Sequence, residues 1–582
     1  MATTRQTEIE RKYDVTGDGS LPDLSGVEGV DTARTRDAVE LEAVYVDTER
    51  DDLARAAITM RRRTGGKDEG WHVKLPAGAG RTEVHAPLTD GTLEGDEVTP
   101  PGDLLDAVRA IVRGRALVPV ARIRTRRTAV ILSDASGAEV AEVADDAVTA
   151  TDLRTGLERA WHEVEAELLG VDGDGDGDGG GQVESGSGLR GDALLDAIER
   201  VLRGAGAVPS ASRSKLARAL GRDDLTDTGG TDSGLTDTGS TDSGATDSRD
   251  ADSASRSKAT GKARGRAPKR GTALETVAGS VRALTADLLA ADPAVRSDDA
   301  GSVHEMRKVV RRLRSVLAAF RREVDREQAD ALRARLASLG GVLGAARDAE
   351  VRVARAAAAI DALPDAFVDR RMRARLVTNA KREYRRTHRR LVAFLSGPEY
   401  FALLDALDEF VADPRAGRRA GRPAGKALRR ALQREAERSL RRAGRAGRAG
   451  QAAEGGEEER AVEGGGGGDA LDARHAARKA ARRLRYAAEA ASASGAIHPR
   501  ADRKRVASLA AAAEAVQEAL GDNRDAAVFA QHVLAESARA HEAGESTFGY
   551  GVLFVDAQRA AGDAEADARD AVRGLRRAAK KL

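Results

Sequence analysis

A two-domain protein is predicted, mostly β near its N-terminus and all-α over its C-terminal half. Between Thr7 and Leu169 polar and apolar residues alternate at period two, whereas from Thr272 to Leu582 the apolar spacing is helical. A low-complexity stretch separates the two regions. The length of 582 residues agrees, because one domain usually holds about 100–200 residues.

The alternation runs through TEIERKYDV, VELEAVYVDT, AITMRRRT, GWHVKLP, RTEVHAPL, VARIRTRRTAVIL, AEVAEVAD and WHEVEAELL, which predicts an antiparallel meander or barrel. An amphipathic helix is expected from Asp103 to Arg113, and helical segments from Asp192 to Leu220 on both sides of a turn at Val208-Pro209-Ser210. The first domain therefore takes residues 1–220. Within it, Asp172, Asp174 and Asp176 are spaced like calcium ligands before Gly177. Val183 stands where an EF-hand needs its bidentate glutamate, so residues 171–181 are expected to be a flexible acidic loop.

Residues 221–270, with near-repeats of TDTGGTDSG followed by a Ser/Lys/Arg/Gly-rich stretch, are too poor in apolar side chains to offset chain entropy. A disordered linker is expected there. The second domain, residues 271–582, contains an expected flexible loop at about 443–468.

Lys+Arg number 95 and Asp+Glu 94, a net charge of +1, so any strong field must come from segregation of charge. The absence of cysteine removes disulfides, thiolate zinc sites and cysteine nucleophiles together. No stretch approaches the ~20 apolar residues of a membrane span, and MATTRQTEIERKYDV has no signal-peptide core. A cytoplasmic location without membrane contact is expected. Aromatic residues make up only 3%, which disfavours base stacking and hence nucleic acid as a partner.

On the first strand Glu8, Glu10 and Lys12 share one face, while Ile9 and Tyr13 face the other way. On the last, Glu163, Glu165 and Glu167 share a face opposite Val164, Ala166 and Leu168. Strands that begin and end a barrel often lie side by side. Between them, Arg61, Arg63, Lys74, Arg81, Arg122, Arg124 and Arg126 are inward candidates of opposite sign. A barrel interior with one carboxylate cluster and one cationic lining would be costly if dry. A hard divalent cation and a polyanionic phosphate would neutralise it. The bland alternative is a wet outer face, which suits any single strand but weakens when several whole faces carry one sign.

At these residues the sequence resembles the CYTH family, the triphosphate tunnel metalloenzymes, whose E-x-E-x-K signature reads here Glu8-Ile9-Glu10-Arg11-Lys12. Further similarity lies around Tyr45 and Asp47, in MRRRTGG, WHVKLP, RTRR, AEVADD and HEVEAEL. The resemblance implies an eight-stranded antiparallel tunnel that holds Mg2+ or Mn2+ and a triphosphate. It gives Glu8, Glu10, Glu163, Glu165 and Glu142 as metal ligands, with Asp145 as an alternative to Glu142, and the arginines and lysines as phosphate contacts. Lys12 would orient the terminal phosphoryl group or the attacking water, so Glu8, Glu10 and Lys12 form the catalytic set. Little covalent chemistry is asked of the protein, since positioning and charge neutralisation suffice for phosphoryl transfer. A P-loop is excluded because Gly66-Lys67 is followed by Asp68.

The second domain repeats itself. His304, Arg307, Lys308, Arg311, Arg312 and Arg314 recur as His475, Arg478, Lys479, Arg482, Arg483 and Arg485, each 171 positions later (475 − 304 = 171). LGAARD, ending at Asp348, recurs as LGDNRD, ending at Asp525. Two copies of one helical unit are expected. Three- and four-residue steps place several cations on one helical face, a pattern that repels itself until a polyanion binds. The alternative is a solvated basic face, against which the duplication of the histidine in register argues.

Here the sequence resembles the CHAD family, the conserved histidine α-helical domains, in both H-x-x-R-K-x-x-R-R-x-R runs and both LG-x-x-RD segments. That resemblance implies two helical bundles with polyphosphate bound in a basic pore between them. It makes His304, Arg307, Lys308, Arg311, Arg312, His475, Arg478, Lys479, Arg482 and Arg483 the candidate contacts, and Arg347-Asp348 and Arg524-Asp525 internal ion pairs. The expected function is metal-dependent hydrolysis of inorganic triphosphate or polyphosphate, coupled to polyphosphate binding and to association with polyphosphate granules. Its rivals are a non-catalytic polyphosphate-binding protein, an adenylyl cyclase, a thiamine triphosphatase and, last, a DNA-binding protein.

Overall fold

The computed structural model describes residues 4–15, 21–77, 80–169, 191–212, 214–222, 271–454 and 467–582. The acidic run 171–181, linker residues 223–270 and loop residues 455–466 lie outside them. The chain forms two compact units, Met1–Ser257 and Lys258–Leu582.

The first unit is built on an antiparallel sheet. Its strands are β1 (Thr4–Glu8), β2 (Glu10–Asp14), β3 (Thr32–Thr35), β4 (Val39–Thr48), β5 (Thr59–Thr64), β6 (Gly70–Ala77) and β7 (Gly80–Ala86). A separate hairpin, β8 (Thr92–Glu94) and β9 (Glu97–Thr99), precedes β10 (Leu117–Ser133), β11 (Glu139–Asp152), β12 (Glu158–Leu168) and β13 (Val208–Pro209). The strand order is β1-β7-β6-β5-β4-β10-β11-β12-β2-β13, with β3 added to β10. Because β1 pairs with β7 and β2 with β12, and only Ile9 separates β1 from β2, the N-terminal segment closes the sheet into a ring. The first alternating segment supplies β1 and β2, and each of the others supplies one strand of the ring. The sheet counts eleven strands because the first segment breaks at Ile9 and because β3 and β13 join its edge.

Alternate side chains of the ring point outward into apolar clusters covered by helices. Helix α1 (Asp52–Arg55) is a single turn, and α2 (Gly102–Val112) packs Leu104, Val108 and Val112 on Met60, Trp71 and Val73. Helix α3 (Gly191–Gly204) seats Leu194, Leu195 and Ile198 against Tyr13, Val164 and Leu168. Each fully buried side chain of this kind contributes about 1.5–3 kcal/mol. After the short β13 comes α4 (Lys215–Leu220), N-capped by Ser214 and packed through Leu216 against Ala43, Tyr45 and Ile123.

In the second unit, α5 (Ala273–Arg296), α6 (Ser302–Ala319), α7 (Arg326–Asp361), α8 (Arg370–Arg373), α9 (Asn379–Leu395) and α10 (Pro398–Ala412) precede four long helices. These are α11 (Ala424–Glu454), α12 (Gly467–Ala493), α13 (Arg500–Glu542) and α14 (Phe548–Ala579). The two basic runs lie on α6 and α12, which pack against each other. Residues 443–454, expected in a loop, continue α11, because its alanines and arginines are good helix formers that outweigh Gly444 and Gly447. Among the described residues no helix is long and apolar enough to cross a membrane.

Candidate functional sites

The ring of the first unit encloses a cavity of about 750 Å3. Glu8 of β1, Glu10 and Lys12 of β2, Glu142 of β11, and Glu165 and Glu167 of β12 line one side. Arg61 and Arg63 of β5, Lys74 of β6, and Arg81 and Glu83 of β7 line the other, and α4 brings Ser214 and Lys215 to the wall.

The carboxylates are in register. Glu167 lies directly opposite both Glu10 and Glu142 on the flanking strands, an arrangement that is unfavourable between like charges. Burial, aided by Glu10, Glu165 and Glu142, pushes the Glu167 carboxyl up to about 7. Burial and a hydrogen bond with Glu83 push Glu8 up to about 8, although Lys74 Nζ lies 2.5 Å from its Oε2. Burial opposes ionisation of Glu10 too, but Lys12, 3.4 Å away, together with Lys74 and Arg81 outweighs it and holds Glu10 below the usual carboxylate range.

Glu165 is held far lower still. Its burial is overcome by contacts to Lys12, to Lys215 Nζ at 2.7 Å and to Arg127 Nη2 at 2.7 Å. Asp146, Glu163 and Glu165 are close enough to converge on one cation.

On the cationic side Arg61 donates to Tyr45 Oη at 3.2 Å and lies 3.7 Å from Glu83. Arg63 donates to the Asp68 carbonyl at 3.0 Å and pairs with its carboxylate. The buried Nε–H groups of both arginines have no partner among the described residues. Buried donors are rarely left so, and an anion in the cavity would satisfy them. The carboxylate row likewise offers hard oxygen donors in need of a cation, so the residues present fit a divalent metal.

In the second unit a cavity of about 470 Å3 is bounded by α6, α7, α12 and α13. His304, Arg307, Arg311 and Arg314 enter it from α6, and His475, Arg478, Lys479 and Arg482 from α12. Arg347, Arg352 and Arg355 of α7 add to them, and among the described residues Asp348 is the one acid in the lining. It pairs with Arg307 at 3.3 Å. Burial and the neighbouring arginines lower Arg311 to about 9 and Arg482 to about 10. Burial and Arg347 lower His304 below the usual histidine value.

Two family models match the chain in sequence order, a CYTH domain over residues 6–174 and a CHAD domain over residues 279–534. The chain is a CYTH–CHAD protein. It is 34% identical over 568 residues to an uncharacterized protein of Mycobacterium tuberculosis (strain CDC 1551 / Oshkosh), covering 94% of this chain and 92% of that one. The crystal structure of the CHAD domain from the plant Ricinus communis is 21% identical, with a TM-score of 0.37, covering 53% of this chain and 97% of that one. A putative adenylate cyclase from Bacillus halodurans is 18% identical with a TM-score of 0.24, covering 37% and 97%.

Several expected site residues of the CYTH domain lie elsewhere. Arg122, Arg124 and Arg126 are on the outer face of β10, where Arg124 and Arg126 are 65% and 70% exposed and pair with Glu42 and Glu40. The inner phase of that strand is Ile123, Thr125 and Arg127. Asp145 also faces outward, paired with His162, while Asp146 faces inward beneath Arg127 and Lys215. Glu163 shares the inner face but lies beyond the cavity lining, under Lys215.

In the CHAD domain Lys308, Arg312 and Arg483 leave the basic cavity to pair with Glu305, Glu489 and Glu435. Arg347 and Asp348 pair with Glu350 and Arg307, not with each other. The side chains of Arg524 and Asp525 lie outside the described residues.

Sequence reasoning passed over Glu83, Arg127, Asp146 and Lys215. Glu83 is two residues from Arg81 and so on its face, a usable signal. Arg352 and Arg355 lie four and seven residues beyond Asp348, and helical spacing could have found them. Lys215 gave no signal, because its place depends on how α4 docks.

Proposed function

We propose that the CYTH domain hydrolyses inorganic triphosphate or the end of a polyphosphate chain with Mg2+ or Mn2+, and that the CHAD domain binds polyphosphate in its basic cavity. The observation that carries this reading is the division of one enclosed cavity into a carboxylate side and an arginine/lysine side. Glu8, Glu10 and Glu142 would hold the metal, joined by Glu167, which faces Glu10 and Glu142 on the flanking strands. Bound there, the metal would neutralise phosphate oxygens and lower the cost of charge build-up in the transition state.

The protein's own groups do the rest. Arg61, Arg63, Lys74 and Arg81 grip the phosphate oxygens, with the unpartnered Nε–H groups of Arg61 and Arg63 as ready donors. Lys12, held between Glu10 and Glu165, is placed to orient the terminal phosphoryl group. Enclosure by the ring keeps bulk water from screening these charges.

In the CHAD domain, cations from three helices meet with one acid among the described residues, which suits a repeating polyanion. The test is phosphate release from tripolyphosphate by the intact protein with Mg2+ or Mn2+. Release is expected to fall at least about 100-fold in Glu8→Ala/Glu10→Ala, while polyphosphate binding persists. Full release by that variant would sink the hydrolase reading and leave a polyphosphate-binding protein.

A further inference from the structure

Among the described residues of the CYTH domain, the carboxylate cluster that converges most closely already holds a cation of the protein's own. Lys215 Nζ lies 2.9 Å from Asp146, 2.7 Å from Glu163 and 2.7 Å from Glu165. These three carboxylates are the group whose oxygens converge closely enough to share one ion. Two of them, Glu163 and Glu165, are the last-strand glutamates expected to bind metal. Lys215 and Asp146 are 9% and 0% exposed at their side chains, so the pairing is shielded from water and screened little by salt.

The lysine is also held in place. Ser214 caps α4 by accepting from the Ala217 amide at 3.1 Å, and Leu216, Ala219 and Leu220 anchor the helix in an apolar cluster. One turn along the same face Arg218 lies 5.0 Å over the Trp161 ring, pairs with Asp14 at 2.5 Å and comes within 4.0 Å of Glu163. Arg127 adds a further cation on Asp146 and Glu165, and Lys12 another on Glu165.

We propose that Lys215 is the resident cation of the Asp146–Glu163–Glu165 cluster, so that while α4 is docked no divalent ion binds there. Metal is then confined to the Glu8, Glu10, Glu142 and Glu167 end of the row. A divalent ion added to this cluster would face an ammonium and a guanidinium at contact distance, and like charges in a buried site repel strongly. The proposal rests on the metal reading above and gives the reason why Glu163 and Glu165, expected from the sequence to bind metal, stay outside its ligand set. It makes Lys215 a positioning residue that sets how many ions the domain takes.

The test counts Mn2+ bound to the full-length protein, with no substrate present, by electron paramagnetic resonance and calorimetry. Lys215→Met is expected to bind one more ion than wild type, whereas Lys215→Arg, which keeps the charge, matches wild type. Asp146→Asn, in a chain that retains Lys215, is expected to leave the count unchanged, which decides the matter even if Lys215→Met fails to fold. An unchanged count in folded Lys215→Met, or loss of an ion in Asp146→Asn, would overturn the proposal. A wild type that binds no Mn2+ would defeat the metal reading instead, and a first ion gained by Lys215→Met would still support this one.

Discussion

Arg311 on α6 and Arg482 on α12 face the same cavity, and burial together with Arg482 holds Arg311 down at about 9. Both guanidinium groups remain charged at neutral pH, so the unliganded domain carries their repulsion. Replacing either by alanine removes a charge-assisted phosphate contact of about 1.5–3 kcal/mol. Polyphosphate affinity should therefore fall roughly 10- to 150-fold. Without ligand, the Tm of either variant should equal or exceed that of wild type, because the repulsion is relieved. Titration with polyphosphate and thermal melts of the same samples check both halves.

Neighbouring arginines of β10 should behave oppositely. Arg126 is 70% exposed and 3.9 Å from Glu40, so Arg126→Ala should change stability by no more than about 0.5 kcal/mol. Arg127 bridges Asp146 and Glu165 inside the ring. Arg127→Ala removes one of the cations on Asp146 and Glu165, leaving Lys215 shared between them, and should cost about 1–3 kcal/mol. Denaturant unfolding of the two variants distinguishes them.

The same pair shows how far the sequence could be read. Alternation at period two predicts the strands and puts Glu8, Glu10, Lys12, Arg61, Arg63 and Lys74 on faces that do line the cavity. It cannot choose between the two phases of RTRR, where adjacent arginines occupy both faces and the more numerous set lies outside. Phase is fixed by packing: Val120 and Ile123 join the cluster beneath α4, and a register shift between Pro119 and Ala121 resets the strand. Likewise the repeated basic runs mark α6 and α12 as the walls of a site. Which cations turn inward depends on acids from other helices, such as Glu435 and Glu489, that draw Arg483 and Arg312 away.

Polyphosphate binding should weaken as pH rises. His304 is held below 6.5 by burial and Arg347, with Lys308 and Arg311 adding to that effect and Glu305 opposing it. A bound polyanion favours the imidazolium and raises the value. The extra affinity is then fully present below the free-state pKa and is lost as pH passes through the higher, bound-state pKa. His304→Gln should flatten the profile between about pH 5 and 8, whereas a profile unchanged by that variant would assign the histidine a structural role only. Polyphosphate titrations across that range, at constant ionic strength, are the measurement.

Metal binding to the CYTH domain should show the reverse dependence. Glu8 is pushed up to about 8 by burial and by Glu83, so at neutral pH it holds a proton that a divalent ion must displace. Apparent Mn2+ affinity should accordingly rise with pH up to about 8 and level off above it. Proton release should be visible by calorimetry in buffers of different ionisation enthalpy. Glu10 lies below the usual range and contributes no such step. Without metal the sign reverses for stability, because a raised carboxyl pKa favours the folded state at low pH. That contribution is present below the unfolded value of 4.5 and disappears as pH rises through about 8. Glu8→Gln removes one titrating ligand and leaves Glu167, pushed up to about 7, as the other, so it should bind Mn2+ more weakly, release less proton on binding, and lose the Glu8 component of the stability profile between those limits.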